Sequence, residues 1–130
     1  MTLPASDHAY LGERGAAFTV SHEAGMTCVV LSGYALPEGF NRAQADLLLR
    51  LNAGYPDVPP DMWWFEPAVL RADGVVIPNT DVYEMYLGRR WQRWSRHLNA
   101  GQWIPGRDSL ESFLALVASD LRKSVPEMVQ

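Results

Sequence analysis

The segment AAFTVSHEAGMTCVVLS, residues 16–32, contains two β-strand patterns separated by a turn. Residues 16–22 alternate between apolar and polar side chains, which is typical of a half-buried strand. The Glu-Ala-Gly sequence at 23–25 predicts a tight turn. Residues 26–32 are rich in β-branched side chains, which favour a second strand. The segment therefore predicts an antiparallel hairpin.

Two further strand patterns follow this hairpin. Residues 44–51 (QADLLLRL) place four apolar side chains on one face and polar side chains on the other. Leucine also favours an amphipathic helix, but the strict alternation and the closely following Gly54 and Pro56 favour a strand. Residues 62–65 (MWWF) form a fourth short apolar run. The four segments together predict a four-stranded antiparallel meander.

A helix is predicted after the meander, near the end of the chain. Asp108 with Glu111 three residues later has the spacing of a capping box, and Pro126 is expected to end the helix. A single apolar stripe at i, i+3, i+4, i+7 and i+11 would pack this helix on the sheet. The stripe consists of Leu110, Phe113, Leu114, Val117 and Leu121. The predicted fold class is α+β, in one domain spanning residues 1–130, with a short helical turn at 3–12.

Composition limits the classes of function. The formal net charge of −4 argues against a general nucleic-acid binder. The single cysteine, Cys28, lies in a predicted strand and excludes an internal disulfide or a cysteine metal cage. No metal site and no cofactor is predicted. No apolar run approaches the roughly 20 residues of a membrane span, so we expect no membrane association and a cytoplasmic location.

Residues 89–105, RRWQRWSRHLNAGQWIP, concentrate arginine, tryptophan, one serine and one histidine. The segment shows no helical period and contains glycine and proline, which predicts an ordered loop. Ordered loops on a rigid scaffold often carry binding and catalytic groups. Aromatic and cationic side chains could also hold a single nucleic-acid strand, although the acidic net charge argues against that interpretation.

Three short motifs resemble those of ubiquitin-conjugating enzymes. The sequence YPDVPP at 55–60 resembles the YPxxPP turn after the third strand of that family, and WIP at 103–105 resembles its WxP motif. IPN at 77–79 resembles its HPN tripeptide. The chain looks most like a bacterial branch of the family that is found with ubiquitin-like and activating-enzyme genes. The resemblance implies a ubiquitin-conjugating-enzyme-like core with truncated C-terminal helices.

The resemblance also implies site residues. The family's catalytic cysteine lies about eight residues before the WxP tryptophan, a position that Ser95 occupies here. A serine hydroxyl needs a general base, and His97 is two residues away. Asn79 matches the asparagine that supports the oxyanion. Four residues are predicted to bind a partner: Arg93, Arg96, Trp94 and Trp63.

The implied activity is acyl transfer in a bacterial ubiquitination-like pathway, with antiphage defence as its expected setting. An activating enzyme would pass the C-terminus of a ubiquitin-like protein to Ser95 as an oxyester, and a peptidase of the same pathway is a further expected partner. One alternative is an inactive variant that serves as a binding scaffold. A serine introduced in place of a native cysteine is another interpretation.

Overall fold

The computed structural model describes residues 3–15 and 17–125 and has an α+β architecture. Both helices pack on one face of a six-stranded antiparallel sheet, whose strand order is β1-β2-β3-β4-β6-β5. The elements are α1 (Ala5–Glu13), β1 (Phe18–Glu23), β2 (Met26–Ala35), β3 (Gln44–Leu51), β4 (Trp63–Glu66), β5 (Val82–Tyr86), β6 (Arg89–Trp94) and α2 (Leu110–Lys123).

All four strands of the predicted meander are present, and the fold class is confirmed. β1 pairs with β2 across a two-residue turn, and β3 follows the predicted residues 44–51, so the helical alternative there is wrong. The apolar face of β3 is buried in the main core because its side chains alternate across the sheet. Ala16 and Pro126, which the sequence placed at the ends of elements, lie outside the described residues.

The sheet has six strands rather than four, because residues 82–94 form a second hairpin. The prediction of an ordered loop for all of 89–105 is therefore wrong over its first third. β6 pairs with β4 on one side and with β5 on the other. Trp91 faces one side of the sheet and Trp94 the other, and both are fully buried. A strand buried on both faces lacks the alternation that marks a half-buried strand.

The tip of this hairpin bends back across the sheet face that carries no helix. Leu87 N–H donates to the Glu23 carboxylate at 3.0 Å, which links the tip to the β1–β2 turn. A second, smaller apolar cluster lies beneath the hairpin and includes Trp64, Trp91 and Cys28. We call this side the helix-free face. The molecule thus buries both faces of the central strands, one under the helices and one under its own hairpin.

Helix α2 confirms the predicted apolar stripe, since all five of its residues are buried. The predicted capping residue is wrong by one position. Ser109 is the N-cap, and its N–H donates to Ser112 Oγ at 2.9 Å. The Asp108 carboxylate instead accepts the Ile104 N–H at 2.7 Å, a bond that lowers the pKa of Asp108.

A buried carboxylate joins three parts of the chain that are distant in sequence. Asp7, on α1, accepts the Tyr55 hydroxyl at 2.6 Å and the Leu110 N–H at 3.1 Å. Tyr55 begins the YPDVPP turn, and Leu110 begins α2. A carboxylate at a helix N-terminus also interacts favourably with the helix dipole. Asp7 therefore fixes the turn and both helices relative to one another.

We expect Tyr55→Phe to lower the free energy of unfolding by about 2 kcal/mol at pH 7, because hydrogen bonds to charged groups contribute about 1.5–3 kcal/mol. Burial, reinforced by the Asp7 carboxylate, raises the pKa of Tyr55 above its ordinary value of 10.0. A group whose pKa is higher in the folded than in the unfolded state stabilises the fold fully below its unfolded-state pKa. That stabilisation is lost as the pH rises through the folded-state pKa. The gap in free energy of unfolding between wild type and Tyr55→Phe should therefore shrink above about pH 10.

Urea unfolding at a series of pH values between about 7 and 11 measures this gap. Tyr83→Phe is the matched control, since Tyr83 is exposed on β5. A gap that widens above pH 10, or one that is already absent at pH 7, would contradict the assignment of the Asp7–Tyr55 bond.

Among the described residues, neither helix is long and apolar enough to cross a membrane.

Candidate active site

Ser95 lies directly after the C-terminal end of β6, at the rim of the sheet. Its side chain is half-buried, and its Oγ accepts a hydrogen bond from Arg93 Nε at 2.9 Å. The serine at the position implied by the family spacing is therefore outside the core and beside a positive charge. A guanidinium that donates to a hydroxyl oxygen favours negative charge on that oxygen.

Asn79 lies beside Ser95, although sixteen residues separate the two in the chain. The Ser95 N–H donates to the Asn79 carbonyl oxygen at 3.0 Å. The backbone of Asn79 is left-handed, with φ of 60°, a conformation that asparagine adopts more readily than most residues. Its side chain is exposed. The fold thus brings Asn79 and Ser95 into contact despite their separation in the sequence. The oxyanion role of the Asn79 amide stays a prediction.

Gln92 holds the segment that carries Asn79 against β6. Its Nε2 donates to the carbonyl oxygens of Val69 and Thr80, both at 3.1 Å, and its Oε1 accepts the Val69 N–H at 2.7 Å. Gln92 is completely buried. The sequence assigned it no role, because its partners lie 12 and 23 residues away in the chain.

His97 is paired with a carboxylate. Its Nδ1 lies 2.8 Å from Asp61 Oδ1, and both side chains are about half exposed or more. The Met62 N–H donates to the Arg96 carbonyl oxygen at 3.0 Å and so holds the two segments together. A carboxylate on Nδ1 fixes the imidazole with Nε2 free to accept a proton. Asp61 is a candidate site residue that the sequence did not indicate, because 36 residues separate it from His97.

Both arginines predicted to bind a partner are engaged within the chain. Arg93 pairs with Glu84 at 3.4 Å besides contacting Ser95. Arg96 pairs with Asp120 on α2 at 2.9 Å and donates to the Pro78 carbonyl oxygen at 3.0 Å. Their guanidinium groups therefore support the site internally, and only part of each remains open to a partner.

The two tryptophans predicted to bind a partner are core residues. Trp94 is 0% exposed and Trp63 is 3% exposed. Their indole rings stack with centroids 6.2 Å apart, and Trp94 Nε1 donates to Gln92. Trp94 therefore has no surface that a partner could contact. Trp63 keeps a small exposed edge in a cavity that Arg96 and His97 also line, so its partner-binding role stays a prediction.

Two of the motifs that resemble those of ubiquitin-conjugating enzymes contact each other beside the site. Trp103, from WIP, donates its Nε1–H to the carbonyl oxygen of Pro56, from YPDVPP, at 2.9 Å. Its ring also packs against Tyr55, with centroids 6.1 Å apart. The loop after β6 is thereby anchored to the turn after β3.

The available chemistry is that of a hydroxyl, an oriented imidazole and nearby cations. Cys28 is 0% exposed in the cluster on the helix-free face, so its thiol is not accessible to a large partner. Within residues 3–15 and 17–125, no group of three or more His, Cys, Asp or Glu side chains could hold a metal ion. Ser95 does not hydrogen-bond to His97 among the described contacts, so a proton would have to pass between them through water.

A family model described as prokaryotic E2 family E matches residues 3–124. No curated protein and no solved structure gives a significant match.

Proposed function

The chain belongs to prokaryotic E2 family E, and we propose that Ser95 carries out this family's general conjugating role by accepting an acyl group. The ubiquitin-conjugating-enzyme-like fold and a general transferase role follow from the family. The specific chemistry is our proposal. In it, the activated C-terminus of a ubiquitin-like protein moves from an activating enzyme onto Ser95 as an oxyester and then onto an acceptor.

The observation that carries the proposal is the Asp61–His97 pair next to Ser95. Residues 95–99 form an irregular segment, in which Ser95 and His97 are two positions apart. In the proposal one bridging water molecule relays the proton between them. His97 Nε2 would then accept the hydroxyl proton as Ser95 Oγ attacks the thioester carbonyl. The thiolate of the activating enzyme leaves and takes that proton.

Two neighbours would support the charge that develops during this step. The Arg93 guanidinium already donates to Ser95 Oγ. The Asn79 carbonyl oxygen accepts the Ser95 N–H, so the Asn79 side-chain amide would have to supply the second donor. Preorganised donors of this kind stabilise oxyanions at low reorganisation cost. An oxyester reacts less readily with amines than a thioester does, so the second half of the reaction requires the same base.

The proposal extends to the cellular setting. The family implies a ubiquitin-like protein and an activating enzyme as partners in general. A peptidase of the same pathway, a role in antiphage defence and a cytoplasmic location are parts of the proposal that rest on the resemblance of the motifs.

We expect Ser95→Ala to abolish a covalent adduct that forms with ATP, the activating enzyme and the ubiquitin-like protein of the same bacterium. The wild-type adduct should resist dithiothreitol and be cleaved by mild alkali, as an oxyester is. Removal of a general base typically lowers a rate by about 10²–10⁴-fold, so His97→Gln should slow adduct formation by about a hundredfold. Asp61→Asn should slow it less. Gel mobility and intact mass measure the adduct.

Ser95→Cys and Ser32→Ala are the controls. The cysteine variant should form an adduct that dithiothreitol cleaves, which shows that folding and partner binding are intact. Ser32 is exposed on β2, away from the site, and its replacement should leave the rate unchanged. An adduct that persists in Ser95→Ala would rule out Ser95 as the acceptor.

A second candidate function is a binding scaffold that forms no adduct. The hydrogen bond from Arg93 favours it, because Ser95 Oγ contacts a guanidinium and makes no hydrogen bond to a base within residues 3–15 and 17–125. This candidate predicts reversible binding of the ubiquitin-like protein by wild type and Ser95→Ala with equal affinity. No adduct should then form with either protein.

A further inference from the structure

A groove of about 300 Å³ lies on the helix-free face, between the sheet and the β5–β6 hairpin. We call it the Arg50 groove. It is bounded by Arg50 at the end of β3, Trp64 on β4, Tyr86 on β5 and Arg93 on β6. Asp61 and Arg93, which line the groove, also contact residues of the candidate active site, whereas Arg50 has no such contact among the described residues.

Arg50 is held in the groove with one donor unused. Its guanidinium lies over the Tyr86 ring, 3.8 Å from the ring centroid. Its Nε is shielded from solvent and has no hydrogen-bond acceptor among the described residues. A buried donor without an acceptor is unfavourable and uncommon in folded proteins. The arrangement therefore presents a positioned cation with no anionic partner in the part of the chain that the structure describes.

The other charged groups of the groove already have partners. Asp61 pairs with His97. Glu84 accepts the Trp64 indole N–H at 2.9 Å and pairs with Arg93. Arg50 has no ion pair among the described residues, whereas Arg93, the other arginine of the groove, is paired with Glu84.

Apolar side chains complete the walls and indicate the kind of anion. Val58, Pro59, Met62 and Met26 line the groove, and Val58 is 43% exposed at its rim. A hydrated inorganic anion gains nothing from such walls, whereas the aliphatic stem of an acidic side chain would bury apolar area against them. Arginine binds carboxylates through paired, charge-assisted hydrogen bonds.

We propose that the Arg50 groove binds an acidic side chain, flanked by apolar residues, in an extended segment of a partner protein. The carboxylate pairs with the Arg50 guanidinium, and the neighbouring apolar side chains cover Val58 and Met62. Charge complementarity and the apolar rim together favour this occupant over a free anion or a neutral peptide.

The test is a titration with the capped peptide acetyl-Val-Glu-Val-amide, followed through the arginine Nε–H resonances in ¹H–¹⁵N NMR spectra. We expect the Arg50 Nε–H resonance to shift on addition of the peptide. The glutamine counterpart, acetyl-Val-Gln-Val-amide, should bind at least about tenfold more weakly, because it cannot form a charge-assisted hydrogen bond. Arg50→Met should weaken binding of the Glu peptide by a similar factor.

Arg90→Met is the matched control, because Arg90 also lies over a tyrosine ring, that of Tyr83, but outside the groove. It should leave the affinity unchanged. Equal binding of the Glu and Gln peptides, or equal binding by Arg50→Met, would overturn the proposal. Inorganic phosphate that shifts the Arg50 resonance while the Glu peptide does not would also overturn it, in favour of a free-anion site. If Arg50→Met does not fold, the shifts of the wild-type Arg50 Nε–H resonance on addition of the Glu and Gln peptides still test the proposal.

Discussion

Gln92→Leu is expected to destabilise the protein by about 3–5 kcal/mol, because each buried polar group left without a partner costs about 1–3 kcal/mol. Gln92 satisfies the Val69 N–H and the carbonyl oxygens of Val69 and Thr80, and it accepts the Trp94 indole N–H. Leucine has nearly the same size but can satisfy none of these groups. Urea unfolding followed by circular dichroism measures the loss.

The same substitution should loosen the segment that carries Asn79. Hydrogen exchange at Val69 should become much faster in Gln92→Leu than in the wild type, relative to amides in α2. Gln44→Leu is the control, since Gln44 is exposed at the start of β3, and surface substitutions usually change stability by less than about 0.5 kcal/mol. A loss below about 1 kcal/mol for Gln92→Leu would mean that water replaces the side chain and that Gln92 does not hold this segment.

Trp94→Ala is expected to lower the free energy of unfolding by about 3–5 kcal/mol, the usual range for deleting a buried aromatic side chain. The Trp94 ring packs against the rings of Trp63, Phe65 and Phe40. Its removal leaves a cavity in the middle of the main core that the rigid sheet cannot fill. Chemical unfolding followed by circular dichroism avoids the change in tryptophan fluorescence that the substitution itself causes.

Two further variants provide reference values for the loss of stability in Trp94→Ala. Trp94→Phe keeps an aromatic ring but loses the bond to Gln92, and it should cost about 1–2 kcal/mol. Val76→Ala, at a side chain that is 81% exposed, should cost almost nothing. A Trp94→Ala variant that kept full stability and lost partner binding would instead support a partner-binding role for Trp94.

Regular patterns in the sequence located most of the scaffold. The alternation in residues 16–22 and 44–51 and the stripe along α2 each depend on which side of one element faces the core, and this information is local. The β5–β6 hairpin escaped detection for two physical reasons. β6 is buried on both faces, and its turn begins with Leu87 at a φ of 55°, where the usual turn residues would be asparagine, aspartate or glycine.

The candidate site was only partly accessible from sequence. Motif spacing pointed to Ser95, and proximity in the chain pointed to His97. Asp61 and Gln92 could not be found in this way, because their partners lie 36 and up to 23 residues away. The role predicted for Trp94 does not fit its complete burial, because hydrophobic side chains near a proposed site can equally well belong to the core.

The sequence by itself determined the α+β class, the first four strands and the apolar face of α2, because each of these depends on neighbours within about a dozen residues, and its short motifs carried the family resemblance. Only the tertiary structure decided that Asn79 contacts Ser95, that Asp61 contacts His97 and that Arg50 has no ion pair among the described residues. The first two facts depend on antiparallel pairing, because Asp61 precedes β4 and Asn79 precedes β5, and both strands pair with β6, which Ser95 and His97 follow. That pairing is fixed by packing of the whole core rather than by any one segment.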